Sequence, residues 1–290
     1  MSETLPVDSA GVGVHVEVEG PADGPPVLFM HGLGSSSMTW AWLPADVTAG
    51  RRVVTLDFRG HGRSGHAAGT YDLARYGADA VAALRATAAR PAALVGHSLG
   101  GSVGWWVAQR HPELVAGALL EDPPLYADDP RAPEAQAIRE VFTAMRADLA
   151  AHRAAGRSDA DLAAAIAAQR WGPPGTPTFG EIAHADAVAA MAFAHNRVDL
   201  GVIDAAIDGT ALGGGDTAAS VTPAVWVLAA DDARGAVFTD EHARRLAASH
   251  PEVRVIRVAG SGHGIHDERR HREAFCGHLR RFLDAYAPTA

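Results

Sequence analysis

Six short apolar runs recur along the chain, and each borders a turn or a small group of polar side chains. Residues 27–30 end at His31-Gly32, 53–56 at Asp57, and 92–95 at Gly96-His97-Ser98. Residues 116–120 end at Glu121-Asp122-Pro123-Pro124, 224–230 at Asp231-Asp232, and 253–258 precede Gly260-Ser261-Gly262-His263. Most of these runs are apolar throughout, which suits strands covered on both faces in a parallel sheet. An earlier run is different: Val12, Val14, Val16 and Val18 alternate with Gly13, His15 and Glu17, the pattern of a half-buried strand. Helical segments fit between the runs at 73–89, 99–110, 239–249 and 272–286. Strand followed by helix, repeated, predicts an α/β fold with a mostly parallel central sheet and helices on both faces. In such sheets ligands bind at the carboxyl ends of the strands, where the His, Asp, Ser and Gly residues cluster here.

Residues 123–221 break this rhythm. They are rich in Ala, show no strand pattern, and are interrupted by turn clusters at Gly172-Pro173-Pro174-Gly175 and Gly213-Gly214-Gly215. Trp171, Phe179, Met191 and Phe193 give the stretch apolar groups to pack. The expectation is a helical cap (lid) at 123–221, inserted in a core made of 1–122 and 222–290.

Composition narrows the function classes. The chain has 290 residues and a net charge of −9. All 25 of its Lys and Arg residues are arginine, scattered without a basic stripe, which argues against nucleic-acid binding. The single cysteine, Cys276, excludes an internal disulfide and is expected in the core. The start of the chain lacks a basic segment followed by an apolar run, and no run is long enough to span a bilayer. The expectation is a soluble, cytoplasmic protein with no membrane association, monomeric or homodimeric.

Gly96-His97-Ser98-Leu99-Gly100 is a G-x-S-x-G sequence between an expected strand and an expected helix. A serine on that sharp turn exposes its hydroxyl above the sheet, and small residues two before and two after relieve crowding. The Leu99 amide then lies at a helix N-terminus, suited to stabilising an oxyanion. His31-Gly32-Leu33-Gly34, Asp57-Phe58-Arg59-Gly60-His61-Gly62-Arg63-Ser64, the serine turn and Gly260-Ser261-Gly262-His263 follow in an order that resembles the capped, single-chain branch of the α/β-hydrolase superfamily. The resemblance covers the chain apart from the cap. It implies Ser98 as nucleophile, and Leu33 as the second oxyanion donor beside Leu99. Gly32, His97 and Trp171 are expected to line the substrate pocket, while His31 and the 57–64 motif are expected to order loops.

Among 15 histidines, His263 follows the last strand and a glycine turn and fits the chain order Ser, acid, His. His266 is its rival. The acid is open between strand ends: Asp231 is preferred slightly over Asp122, with Asp232 third. Glu121 and Asp122 are neighbours on a strand and point oppositely, so only one of them faces His263. Dehalogenases and epoxide hydrolases of this superfamily use an aspartate nucleophile, and Ser98 argues against both. The resemblance therefore implies hydrolysis of a carboxylic ester or lactone through an acyl-enzyme, with no metal and no cofactor. Alternatives are a carbon–carbon bond (diketone) hydrolase, a cofactor-free perhydrolase, or a non-enzymatic ligand-binding receptor of the same fold.

Overall fold

The computed structural model describes residues 2–127, 133–170 and 175–289. An eight-stranded sheet runs through the molecule in the order β1-β2-β4-β3-β5-β6-β7-β8. The strands are β1 (Glu3–Ser9), β2 (Val12–Glu19), β3 (Pro26–Met30), β4 (Arg52–Leu56), β5 (Ala92–His97), β6 (Val115–Glu121), β7 (Ala224–Ala229) and β8 (Arg254–Arg257). β1 pairs antiparallel with β2, and β2 with β4. The pairs from β4 to β8 are parallel.

β1 is the one strand that the apolar pattern does not reveal. It is an edge strand with an exposed-rich burial pattern and a proline in mid-strand, so it carries few core residues. A two-residue turn joins it to β2. Ala10 and Gly11 both have positive φ, 53° and 83°, the backbone that matches the twist of a tight hairpin.

The helices are α1 (Ala45–Thr48), α2 (Leu73–Thr87), α3 (Leu99–Arg110), α4 (Pro133–Ala154), α5 (Asp159–Ala168), α6 (Phe179–Ile182), α7 (Ala185–His195), α8 (Leu200–Ile207), α9 (Asp240–Ser249) and α10 (Arg272–Tyr286). Alternate residues of each central strand feed two separate cores, as the uniform apolar runs require. Leu28, Met30 and Leu94 pack with Tyr76 of α2 and Val103 of α3. Val27, Phe29 and Val95 pack on the other face with Phe275 and Phe282 of α10. Cys276 is buried among the α10 residues.

Between β6 and β7 the chain forms α4 to α8 and, among the described residues, adds no strand to the sheet. Leu162, Ile166, Phe179, Val188 and Ala192 make a third, smaller core there. This stretch is tied down at several points. Tyr71 donates to Asp199 at 2.6 Å, Arg272 grips Asp186 through two bonds of 2.7 Å, and the Ile182 carbonyl accepts from the Arg269 amide at 3.0 Å. The turn residues 172–174 and Trp171 lie outside the described residues. No helix among the described residues is long and apolar enough to cross a membrane.

Candidate active site

Ser98 sits between β5 and α3 with φ 52° and ψ −115°, a backbone that L-residues avoid and that active sites recurrently hold under strain. The neighbouring glycines are demanded by contact. A Cβ on Gly96 would lie 2.2 Å from the Gly100 carbonyl oxygen, and one on Gly100 would lie 2.4 Å from that of Met30. The strand therefore turns into the helix with its backbone almost touching the neighbouring strand end. The Ser98 amide is fixed by the Glu121 carbonyl at 2.9 Å. Leu99 is the first residue of α3, where N–H groups have no intrahelical acceptor.

Ser98 opens on a cavity of about 570 Å³. Gly32, Leu33, His97 and His263 line it from the sheet side. Phe142, Met145 and Leu149 of α4, Ile166 of α5 and Met191 of α7 close it from above. Sequence reasoning missed these residues. In Ala-rich helices without a marked apolar stripe, the face that looks down on the sheet has no local signature. Gly32 and His97, both expected here, lie against each other: a Cβ on Gly32 would meet His97 Nδ1 at 2.9 Å. Trp171, the third residue expected on the wall, lies outside the described residues.

His263 is carried on the loop after β8. Its Nδ1 lies 2.7 Å from Asp122 Oδ2. Asp122 is fully buried at the end of β6. It also accepts from three backbone amides, Ala230 at 3.1 Å, Val237 at 2.8 Å and Phe238 at 3.2 Å. Every hydrogen bond of the Asp122 side chain is one in which it accepts, the pattern of a carboxylate. His263 thus donates through Nδ1, leaving Nε2 as the acceptor nitrogen.

The carboxylate that meets His263 is thus Asp122, not Asp231, the one preferred from the sequence. Asp231 accepts from the Ala233 amide at 2.9 Å and the Gly260 amide at 2.7 Å. These bonds, to Gly260 first, lower its pKa below the ordinary carboxylate value. It holds the start of the His263 loop and does not face the imidazole. Asp232 pairs with Arg257 at 3.0 Å. Both strand ends approach the loop, and a count along the sequence cannot separate them: Asp122 reaches the imidazole, Asp231 the Gly260 and Ser261 backbone.

Glu121, pointing opposite to Asp122, meets the rival histidine. His266 Nδ1 lies 2.7 Å from Glu121 Oε2, and the His266 amide donates to Oε1 at 2.9 Å. His266 is fully buried and stacks on Trp40, with ring centres 4.5 Å apart. Burial opposes its charge, yet the carboxylates of Asp267 and Glu121 hold its pKa above the usual value. His97 lies between the two imidazoles, 4.7 Å from the His263 ring and 5.0 Å from that of His266. Burial, reinforced by both neighbours, pulls its pKa well down.

His31 and His61 are loop holders. The Phe58 amide donates to His31 Nε2 at 3.1 Å, so Nδ1 carries the proton and donates to the Gly32 carbonyl at 2.7 Å. The Gly34 amide donates to His61 Nε2 at 3.1 Å, and Nδ1 donates to the Arg59 carbonyl at 2.9 Å. The Gly32–Gly34 backbone is thereby pinned beside Ser98. Burial lowers the pKa of His31 to about 4 and that of His61 to about 3.

Both histidines are neutral in the fold and take up protons more readily when unfolded. Their stabilisation is present above the unfolded pKa near 6.5 and is lost as pH falls toward 4. Two such protons give a slope of about 2.7 kcal/mol per pH unit below pH 6. Denaturant titrations at pH 7, 6 and 5 should show that decline, and an unchanged midpoint would contradict it.

The comparisons with known proteins agree with this architecture. Residues 25–270 match the family model described as alpha/beta hydrolase fold. The chain belongs to the α/β-hydrolase fold family. Over 150 residues it is 38% identical to a non-heme chloroperoxidase of Streptomyces lividans, covering 50% of this chain and 54% of that protein. Over 109 residues it is 46% identical to the putative carbamate hydrolase RutD of Variovorax paradoxus, 37% of this chain and 41% of that protein. The α/β-hydrolase chain thus spans about half, or less, of the length of these curated relatives. The crystal structure of a hydrolase from Pseudomonas aeruginosa superposes with a TM-score of 0.70 at 26% identity, covering 97% of this chain and 98% of that one.

Proposed function

We propose that this α/β hydrolase cleaves a carboxylic ester or lactone through an acyl-enzyme on Ser98. The observation that carries the reading is the joint placement of a strained, cavity-facing Ser98 and of His263 bonded to buried Asp122. Ser98 Oγ attacks the carbonyl carbon while His263 Nε2 takes its proton. The tetrahedral oxyanion is held by the Leu33 and Leu99 amides, each worth on the order of 10²–10³ in rate. Asp122 fixes the tautomer and stabilises the imidazolium. The imidazolium returns the proton to the leaving alkoxide, which in a lactone stays attached through the acyl chain. Water, deprotonated by Nε2, then attacks the acyl carbon and frees Ser98 and the acid. The 123–221 stretch acts as the lid, and its apolar side chains favour an acyl group of modest size.

A second reading has support in the names of the relatives. Chloroperoxidases and a bifunctional esterase/perhydrolase of Acinetobacter calcoaceticus are among them. In perhydrolysis, hydrogen peroxide replaces water in the second half and a peroxyacid leaves.

A series of p-nitrophenyl esters of rising acyl length, with a lactone panel alongside, tests the proposal. Turnover with an optimum at a short or medium acyl chain is expected. No turnover on any member would contradict it. Adding hydrogen peroxide with acetate and assaying peroxyacid separates the two readings.

A further inference from the structure

A second cavity, of about 720 Å³, lies between the Gly260–His271 loop and, on the helical stretch, Arg170 and residues 175–182. Four arginines line it, Arg170, Arg234, Arg269 and Arg270, together with two acids, Glu181 and Glu268. The acids are already engaged. Glu268 accepts from the Gly262 amide at 2.9 Å and pairs with His271 Nδ1 at 2.5 Å. Glu181 closes the capping box of α6, accepting from the Thr178 amide at 2.6 Å. None of the four guanidinium groups has a carboxylate within ion-pair distance among the described residues. Some arginines elsewhere have such partners: Arg272 has Asp186, Arg257 has Asp232 and Asp240, and Arg280 has Asp46 and Glu273. Four arginines without a carboxylate at ion-pair distance among the described residues thus converge on one concavity, in a chain whose net charge is −9.

The two cavities share a wall residue. Arg170 lines both, and the single loop that carries His263 on one side presents Gly260 to the other. Two of the guanidinium groups are held by backbone carbonyls: that of Arg170 donates to the Thr176 carbonyl, and that of Arg269 to the Gly180 carbonyl at 3.5 Å. Planar guanidinium forks match the geometry of carboxylate and phosphate oxygens. Tethered donors lose less freedom on binding.

We propose that this arginine-lined cavity binds an oxyanion, a carboxylate or phosphate, at the far end of the molecule whose reactive carbonyl sits at Ser98. The second half of that statement rests on the proposed ester or lactone chemistry; the first half does not. The substrate class is then an ester or lactone with an anionic tail, and Arg170 is the residue that joins the two sites.

Calorimetric titration of the full chain with succinate, and separately with inorganic phosphate, tests the anion site without any turnover. Arg234→Gln/Arg270→Gln is compared with wild type, with thermal unfolding as the check on folding. Binding weakened at least about tenfold in the double variant, a loss of about 1.4 kcal/mol, is expected. The tighter of the two probes names the oxyanion. Absence of binding to wild type, or equal binding to both proteins, overturns the site. A second arm compares p-nitrophenyl hemiglutarate with the uncharged p-nitrophenyl butyrate. The double variant should lose about tenfold in kcat/KM on the anionic ester alone. An equal effect on both esters overturns the link to Ser98. Should neither ester be turned over, the proposed hydrolysis fails while the titrations still decide the anion site.

Discussion

Ser98→Ala should lower kcat for the best ester by on the order of 10⁴–10⁶, with the fold retained. The size follows from what is removed. The hydroxyl is the atom that forms the acyl-enzyme, and neither water nor a neighbouring side chain occupies its place in the turn. Ser35 and Thr39 also line the cavity, but neither lies on the strained turn before α3, so Ser35→Ala should cost less than tenfold. Alanine keeps the same φ of 52° with the same backbone strain, so thermal unfolding should shift little. The check is kcat on the preferred p-nitrophenyl ester together with a melting curve. Folded Ser98→Ala protein that keeps a tenth of the activity would remove Ser98 from the mechanism.

The second large effect is expected at Asp122. Asp122→Asn leaves a side chain with one acceptor oxygen where four donors converge. Its amide N–H₂ would face His263 Nδ1 and favour the opposite tautomer, with Nε2 protonated and unable to accept from Ser98. A loss on the order of 10⁴ in kcat, with a smaller change in KM, is expected. Because a buried acceptor is also lost, stability should fall by about 1–3 kcal/mol, so activity is read below the transition. Asp231→Asn is the paired measurement. It keeps one acceptor for the Gly260 and Ala233 amides and should cost less than tenfold in kcat. A large loss at Asp231 with activity retained at Asp122 would reverse the assignment.

These two substitutions also mark how far the sequence could be read. The sheet was legible because its central strands are apolar on both faces, so each run declares itself without alternation. The sharp turn at Ser98 was legible because glycines two before and two after are forced by backbone contacts of 2.2 and 2.4 Å. The glycine turn before His263 marked that loop for a different reason: Gly260 holds φ 77°, a backbone that favours glycine. The acid was not legible. Asp122, Asp231 and Asp232 all follow apolar strands, and local sequence does not encode which strand end lies beneath the loop. The rule that strand neighbours diverge was informative in another way: Glu121 and Asp122 do point apart, and each meets its own histidine. The wall above Ser98 was hidden for a different reason. α4, α5 and α7 are rich in alanine, and the residues that look into the cavity are chosen by how those helices dock. Edge strand β1 escaped because it buries only Val7 and Ser9.

The most direct test of the central claim is intact and peptide mass measurement after labelling with a fluorophosphonate. One adduct per chain is expected, on the peptide holding Ser98, absent in Ser98→Ala and slowed by orders of magnitude in His263→Ala. An adduct on another residue, or labelling that survives in Ser98→Ala, would contradict it.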